Sequence, residues 1–286
     1  MAKQPTKHFF ENYILDAPYS SGKGVCCYPA TDKDSGERYI AKVHSFPSNQ
    51  KLTDALLLSG AFENLEQIDT YYRDSARELC RQAAILNALS YSEYFSHILA
   101  CNTVSRDDFG YDVWFLSPYK LSLGAIFKNK ELTHADTLEL GINLCHAALE
   151  CRQMELIHIG IKPQNIYLSN NGRFQIGDIG FAALSTLPYA PLPSNYHTAY
   201  FPPECCDCFA KIPYNADVYS IGVVLYQALN HGILPDKLSK PSFSISKDFT
   251  NIITSACSPI PDNRFHDPNE MLSALLECRS SQGSAK

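Results

Sequence analysis

The chain has no apolar run approaching the ~20 residues of a bilayer span. The longest candidate, Ile221–Leu229, is too short and is interrupted by Gln227. A helical membrane span is therefore not expected. Positive charge is not in excess either. The 24 Lys+Arg against 30 Asp+Glu leave a net −6, where a nucleic-acid surface needs a basic stripe. The first residues, Met1-Ala-Lys-Gln-Pro-Thr-Lys-His8, lack the apolar core of a secretory signal. The expected compartment is the cytoplasm, so the 11 cysteines read as reduced thiols rather than a disulfide scaffold. His197, Cys205, Cys206 and Cys208 lie close in sequence, but no second C-x-x-C or His pair accompanies them. Partly buried thiols explain them better than zinc does. There is no internal repeat and no low-complexity segment. What remains is a 286-residue chain, 45% hydrophobic, long enough for one large domain or two lobes.

The first third is rich in short strand-like runs. Tyr13–Asp16, Val25–Ala30 and Arg38–Val43 have strand character, with Asp34-Ser-Gly-Glu37 as the turn between the last two. Gln50–Leu65 contains Leu56, Leu57 and Leu58 and reads as an inserted helix or loop. Arg73–Leu89 places Leu79, Ala83, Leu86 and Leu89 on one helical stripe. Strands follow near Ile98–Val104 and Tyr111–Ser117, around the turn Arg106-Asp-Asp-Phe-Gly110.

The remainder is mainly helical. Thr133-His-Ala-Asp136 is a capping-box signal, and Leu138, Ile142, Cys145 and Leu149 keep a helical period after it. Asn165–Leu168 and Phe174–Gly177 form a hairpin around Asn170-Asn-Gly172. Leu187–Pro203 is proline-rich loop. Val218, Ile221, Leu225 and Leu229 mark a buried helix, and Asp248–Cys257 and Asn269–Cys278 close the domain. Strands, a long helix, strands and then helices predict an α+β architecture: a small β-rich lobe joined to a helical one near Pro118-Tyr-Lys120.

The decisive segment is His158-Ile-Gly-Ile-Lys-Pro-Gln-Asn165, followed thirteen residues after Asn165 by Asp178-Ile-Gly180. Together these resemble the H-R-D-L-K-P-x-N and D-F-G motifs of the eukaryotic-type (Hanks-type) protein kinase family. Tyr200-Phe-Pro-Pro-Glu204 stands where that family has A-P-E. Asp217-Val-Tyr-Ser-Ile-Gly222 is similar to the start of its central helix, and Asp262-Asn-Arg264 to the late arginine that pairs with the A-P-E glutamate. Five motifs in order at family-like spacing are far more specific than any one. The overall look is similar to soluble serine/threonine-type kinase domains of bacteria. The resemblance implies a bilobal kinase-like domain over 1–281. Its N-lobe spans about 10–117, its hinge about 118–120 and its C-lobe about 121–281, with a frayed tail at 282–286.

It also implies a site. Lys42 in Tyr39-Ile-Ala-Lys42 would contact the α/β-phosphates of ATP, Ser21, Gly22 and Gly24 would cover them, and Ser117 and Tyr119 would flank the base at the hinge. Lys162 would sit near the transferred phosphoryl group, and Asn165 and Asp178 would hold Mg²⁺. His158 would brace the loop, Asp217 would tether its backbone, and Glu204 and Arg264 would pair.

The departures are as informative. The general-base aspartate of the family is Gly160 here, and the arginine before it is Ile159. Only Gly24 falls on a family glycine of the phosphate loop. Ile40 replaces the small alanine of the adenine pocket and adds three carbons. The helix glutamate that pairs with the lysine is Gln82; Glu78 lies one turn earlier, with a solvent-facing role as its simpler reading. Lys42 to Gln82 spans 40 residues, a long interval for the family. Asn230–Lys247 is short for a substrate-docking helix. Ser185, Thr186, Ser194 and Thr198 are hydroxyls in the activation segment, without the usual arginine reader.

Three functions follow. One is a pseudokinase that binds a protein partner and possible Mg·ATP, with little or no phosphoryl transfer. A second is a slow but active serine/threonine kinase. The third is a nucleotide-free scaffold with Ile40 filling the adenine site. Fold resemblance does not choose among them.

Overall fold

A computed structural model describes residues 10–22, 24–177, 199–206, 212–234 and 245–283. The chain divides into two units, residues 1–90 with 97–119, and residues 91–96 with 120–286. Residues 91–96 correct the expected N-lobe, because they belong to the second unit. Phe95 bridges to Ile176, Tyr94 stacks on His146, and Gln175 Nε2 donates to the Glu93 carbonyl.

The first unit is an antiparallel sheet with two helices. Its elements are β1 (Tyr13–Leu15), β2 (Ser20–Gly22), β3 (Val25–Asp32), β4 (Arg38–Phe46), α1 (Gln50–Leu58), α2 (Leu65–Ala88), β5 (Ala100–Ser105) and β6 (Tyr111–Pro118). The strands lie in the order β1-β3-β4-β6-β5, with β2 paired to β3. Asp32 sets the β3–β4 turn, its Oδ1 accepting from the backbone N–H groups of Asp34 and Ser35.

Side chains alternate across a strand, and β4 uses both faces. Ala41 and Val43 join Phe10, Tyr28, Ala30, Trp114 and Leu116 in an apolar cluster. Ile40 and Lys42 therefore take the other face. Register puts Cys27, Lys42, Phe115 and Cys101 in one cross-strand row there.

Helix α2 begins eight residues before the expected Arg73. Asn64 caps it by accepting from Gln67 N–H, and Ile68, Tyr72, Ala76, Leu79 and Ala83 form its buried stripe. The insertion resolves into α1, tied to α2 by a hydrogen bond between Thr53 and the Tyr72 hydroxyl at 3.2 Å. Leu58, at its end, is 89% exposed.

The second unit holds β7 (Leu121–Ser122), α3 (Leu123–Ile126), α4 (His134–Gln153), β8 (Ile166–Leu168), β9 (Phe174–Ile176), α5 (Ala216–Leu229), α6 (Lys247–Ala256) and α7 (Pro268–Gly283). Strands β7, β8 and β9 form a small sheet. Thr133 and Asp136 form the reciprocal capping box of α4. Every residue of α5 is buried. It approaches α6 at Gly222, where a Cβ would lie 2.7 Å from the Ala256 Cβ. Helix α7 runs through Gly283 and so corrects the expected tail at 282. Pro203–Cys206 is a 3-10 turn, and most of the expected loop Leu187–Pro203 lies outside the described residues. Among the described residues no helix is long and apolar enough to cross a membrane.

Candidate functional site

The second unit builds a loop between α4 and β8 around one buried carboxylate. Asp217, in the first turn of α5, accepts from the backbone N–H groups of His158 and Ile159, both at 2.8 Å. Burial pushes its carboxyl upward, opposed by His158 and by these two N–H donors. The loop is then locked from inside. Gly160 N–H donates to His158 Nδ1 at 3.2 Å, and Asn165 Nδ2 donates to the Gly160 carbonyl at 2.9 Å. Asn165 is fixed in turn, its carbonyl accepting from Gly177 N–H at 2.8 Å. Lys162 stands half-buried at the head of the 3-10 turn Pro163–Asn165. The structure therefore brings together His158, Gly160, Asn165 and Asp217 as one network.

Ile159 carries a feature that the sequence concealed. Its φ is 44°, a left-handed conformation that a β-branched residue seldom adopts. Its side chain is buried with Phe201, Cys205 and Ala216, and Ile157 and Ile212 pack on that cluster. An apolar cluster occupies the position of an arginine that would answer phosphate. The signal available in the sequence was the apolar 157, 159 and 161 positions around the loop.

Glu204 and Arg264 form a bidentate pair, Nη1 to Oε1 at 2.7 Å and Nη2 to Oε2 at 2.8 Å. The Arg264 side chain is fully buried and that of Glu204 is 21% exposed. Arg264 Nε also donates to the Ser258 carbonyl at 2.6 Å.

In the first unit, Ser21 and Gly22 lie in β2 and pair with Cys26 and Val25. The described part of the phosphate-loop stretch thus lies in the paired strands β2 and β3. Gly24 has φ 82°, and a Cβ there would lie 2.4 Å from the Ser48 Cβ. Its carbonyl accepts from Ser45 N–H at 2.8 Å. Close packing on 45–48 is reason enough for this glycine.

Ile40 and Lys42 are half-buried on one face of β4, and Ile40 pairs with Ser117. Tyr119 N–H donates to the Arg38 carbonyl at 3.1 Å, and the Arg38 guanidinium lies 4.1 Å from the Tyr119 ring centre. Gln82 is buried, and its Oε1 has no hydrogen-bond partner among the described residues. Glu78 is not solvent-facing: its side chain is 16% exposed, and its carboxylate accepts from Arg81 at 2.6 and 2.7 Å and from Gln82 at 3.3 Å. Arg81 supplies the competing charge that the helix pattern alone did not rank.

Asp178, Ser185, Thr186, Ser194, His197, Thr198 and Cys208 lie outside the described residues, as does most of Asn230–Lys247. Among the described residues no group of three or more His, Cys, Asp or Glu is placed to hold a metal ion. Of the expected site residues, the first unit carries the cation Lys42; the second carries the Asn165 amide and the cation Lys162, with no acid–base side chain at 160.

A curled antiparallel sheet with one long helix, a helical second unit, and a loop tethered by an aspartate at the start of a buried helix define a protein-kinase fold. The protein kinase domain family model matches residues 73–282, and the chain belongs to that family, in its Hanks-type serine/threonine branch. It is 32% identical over 109 residues to the serine/threonine-protein kinase Nek3 of Mus musculus, covering 36% of this chain and 21% of that one. It is 25% identical over 240 residues to a probable serine/threonine-protein kinase of Clostridium perfringens, covering 77% of this chain and 33% of that one. Nek1 of Mus musculus is 26% identical over 159 residues, covering 54% of this chain and 12% of that one. The chain thus spans a third or less of the length of these relatives.

Proposed function

We propose that this protein is a kinase-fold pseudokinase that binds a protein partner and Mg·ATP, with phosphoryl transfer absent or strongly reduced. The observation that carries the reading is Gly160. The loop around it keeps its tether, its brace and its asparagine, yet the position of the general base has no side chain. Removing one general base costs about 10²–10⁴-fold in rate. Positioning and electrostatics, which supply most of phosphoryl-transfer catalysis, would remain in Lys162 and Asn165.

The residues fit a nucleotide in part. Lys42 would contact the α/β-phosphates, and the orphaned Gln82 Oε1 is a neutral acceptor where the family has a carboxylate. Asn165, with Asp178, would hold Mg²⁺, and Ser117 and Tyr119 would flank the base. When bound, Mg²⁺ would neutralise phosphate charge. Gly24 is committed to packing against Ser48, so its share in covering phosphates is small.

The test is a thermal-shift titration with ATP, with and without Mg²⁺, followed by a turnover assay. A ligand at 100 Kd adds about 2.7 kcal/mol of stability. The expected result is a saturable, Mg²⁺-dependent shift without turnover. The left-handed φ falls on Ile159 rather than on Gly160, so Gly160→Asp meets no such strain and is expected to gain measurable turnover. Wild-type turnover that Asp178→Asn abolishes would establish the slow kinase instead. No shift at millimolar ATP would leave a nucleotide-free scaffold.

A further inference from the structure

The first unit contains a thiol pair that the nucleotide reading does not use. Cys80, on α2, lies with its Sγ 3.0 Å from Cys101 Sγ on β5 and 3.1 Å from the Thr103 hydroxyl. The two cysteines are 21 residues apart in sequence. Their closeness comes from packing of a helix on a sheet edge rather than from chain adjacency. Cys101 and Thr103 are two apart on β5, so they present to one face of the edge strand, and Cys80 meets both. Both cysteines are half-buried and unbridged.

We propose that Cys80 and Cys101 are a reversible oxidation site, in which a hydroperoxide converts the two thiols into a disulfide joining α2 to β5. A disulfide sulfur pair is about 2.05 Å apart, so closing the bond needs an approach of about 1 Å.

The chemistry balances without any group the protein lacks. The Cys80 thiolate attacks the distal peroxide oxygen; an S–O bond forms, the O–O bond breaks, and the leaving oxygen takes a proton and departs as water or alcohol. Cys80 is then a sulfenic acid. Cys101 sulfur attacks Cys80 sulfur, the S–S bond forms and the S–O bond breaks, and the oxygen leaves as water with the Cys101 proton. Two thiols lose two electrons, and the peroxide takes them.

The geometry assigns the order of attack. Cys80 sits within hydrogen-bond reach of two groups able to donate to a thiolate, the Cys101 thiol and the Thr103 hydroxyl, and these lower its thiol pKa against the opposing effect of burial. Cys101 is pushed the other way by its hydrogen bond to Cys80 and by burial. Cys80 is therefore the attacking sulfur and Cys101 the resolving one. A thiol pair that cycles in this way is compatible with a reducing compartment, where disulfides are transient.

The consequence is mechanical. Cys80 is two residues from Gln82 on α2, and Cys101 ends the cross-strand row that contains Lys42. The cross-link would fix the helix over that row.

The experiment treats the full chain with stoichiometric hydrogen peroxide, blocks remaining thiols and maps cross-linked peptides by mass spectrometry. The expected product is a Cys80–Cys101 peptide lacking two hydrogens. It should form before any cross-link involving Cys26 or Cys27 and be reversed by dithiothreitol. Cys101→Ser should leave Cys80 as a sulfenic acid that dimedone traps, and Cys80→Ser should leave Cys101 reduced. The wild-type mapping needs no variant to fold. Both thiols remaining reduced while Cys26 or Cys27 oxidises would overturn the proposal. So would dimedone labelling of Cys101 in Cys80→Ser at the rate of Cys80 in Cys101→Ser.

Discussion

The Arg264 side chain is fully buried, and its charge is answered by one carboxylate. Breaking a buried pair from one side leaves an uncompensated charge and costs about 3–5 kcal/mol. Glu204→Gln is expected to lose that much in urea unfolding. Combining it with Arg264→Met should recover part of the loss, because the stranded charge goes too. Ile159 presents the opposite contest. Glycine there would relieve about 1–2 kcal/mol of left-handed strain but would surrender about 1.5–3 kcal/mol of side-chain burial, plus a cavity. Burial wins, so Ile159→Gly should unfold at lower urea than the wild type. Glu78 adds a pH dependence. The Arg81 hydrogen bonds, helped by Gln82 and opposed by burial, hold its carboxyl below the usual range. A depressed folded-state pKa contributes stability above the unfolded value of about 4.3 and loses it as pH falls through the folded one. The stability gap between wild type and Glu78→Gln should be constant from pH 7 to 5 and shrink below about pH 4.

At the scale of elements, local signals were legible where chemistry acts over three or four residues. The Thr133–Asp136 box was readable because both halves of the reciprocal bond lie inside one turn. Thr133→Ala should cost about 1 kcal/mol, measured by the same unfolding midpoint. Turn Asp34–Glu37 was readable for the same reason. The start of α2 was not, because 65–71 is mostly polar outside Ile68 and only tertiary packing shows which side of it is covered. The covered position of Glu78 is not legible, because a helix pattern gives its turn but not the competition between Arg81 and solvent. The loop from 158 to 165 was legible as a motif. The left-handed Ile159, and the six-residue cluster that holds it, were not, since Phe201, Cys205, Ile212 and Ala216 are distant in sequence. Gly24 was legible as a family position, yet its demand for glycine comes from Ser48.

Across the whole molecule, thiols grade by depth. Burial pushes the Cys145 and Cys151 thiols of α4 upward, while Cys26 and Cys80 are half-buried. A disulfide reagent under native conditions should modify Cys26 and Cys80 promptly. Cys145 and Cys151 should wait for unfolding and then react together, as seen by mass spectrometry of timed samples. The same logic applies to α5, which has no solvent face along its whole length. A helix usually lets its outer amides trade deuterium through small fluctuations, but here every route to water requires neighbouring helices to part. The isotope uptake of α5 should therefore be the slowest in its unit and nearly uniform from end to end. It would make α5 an internal clock for complete opening, against which any bound nucleotide or partner could be timed.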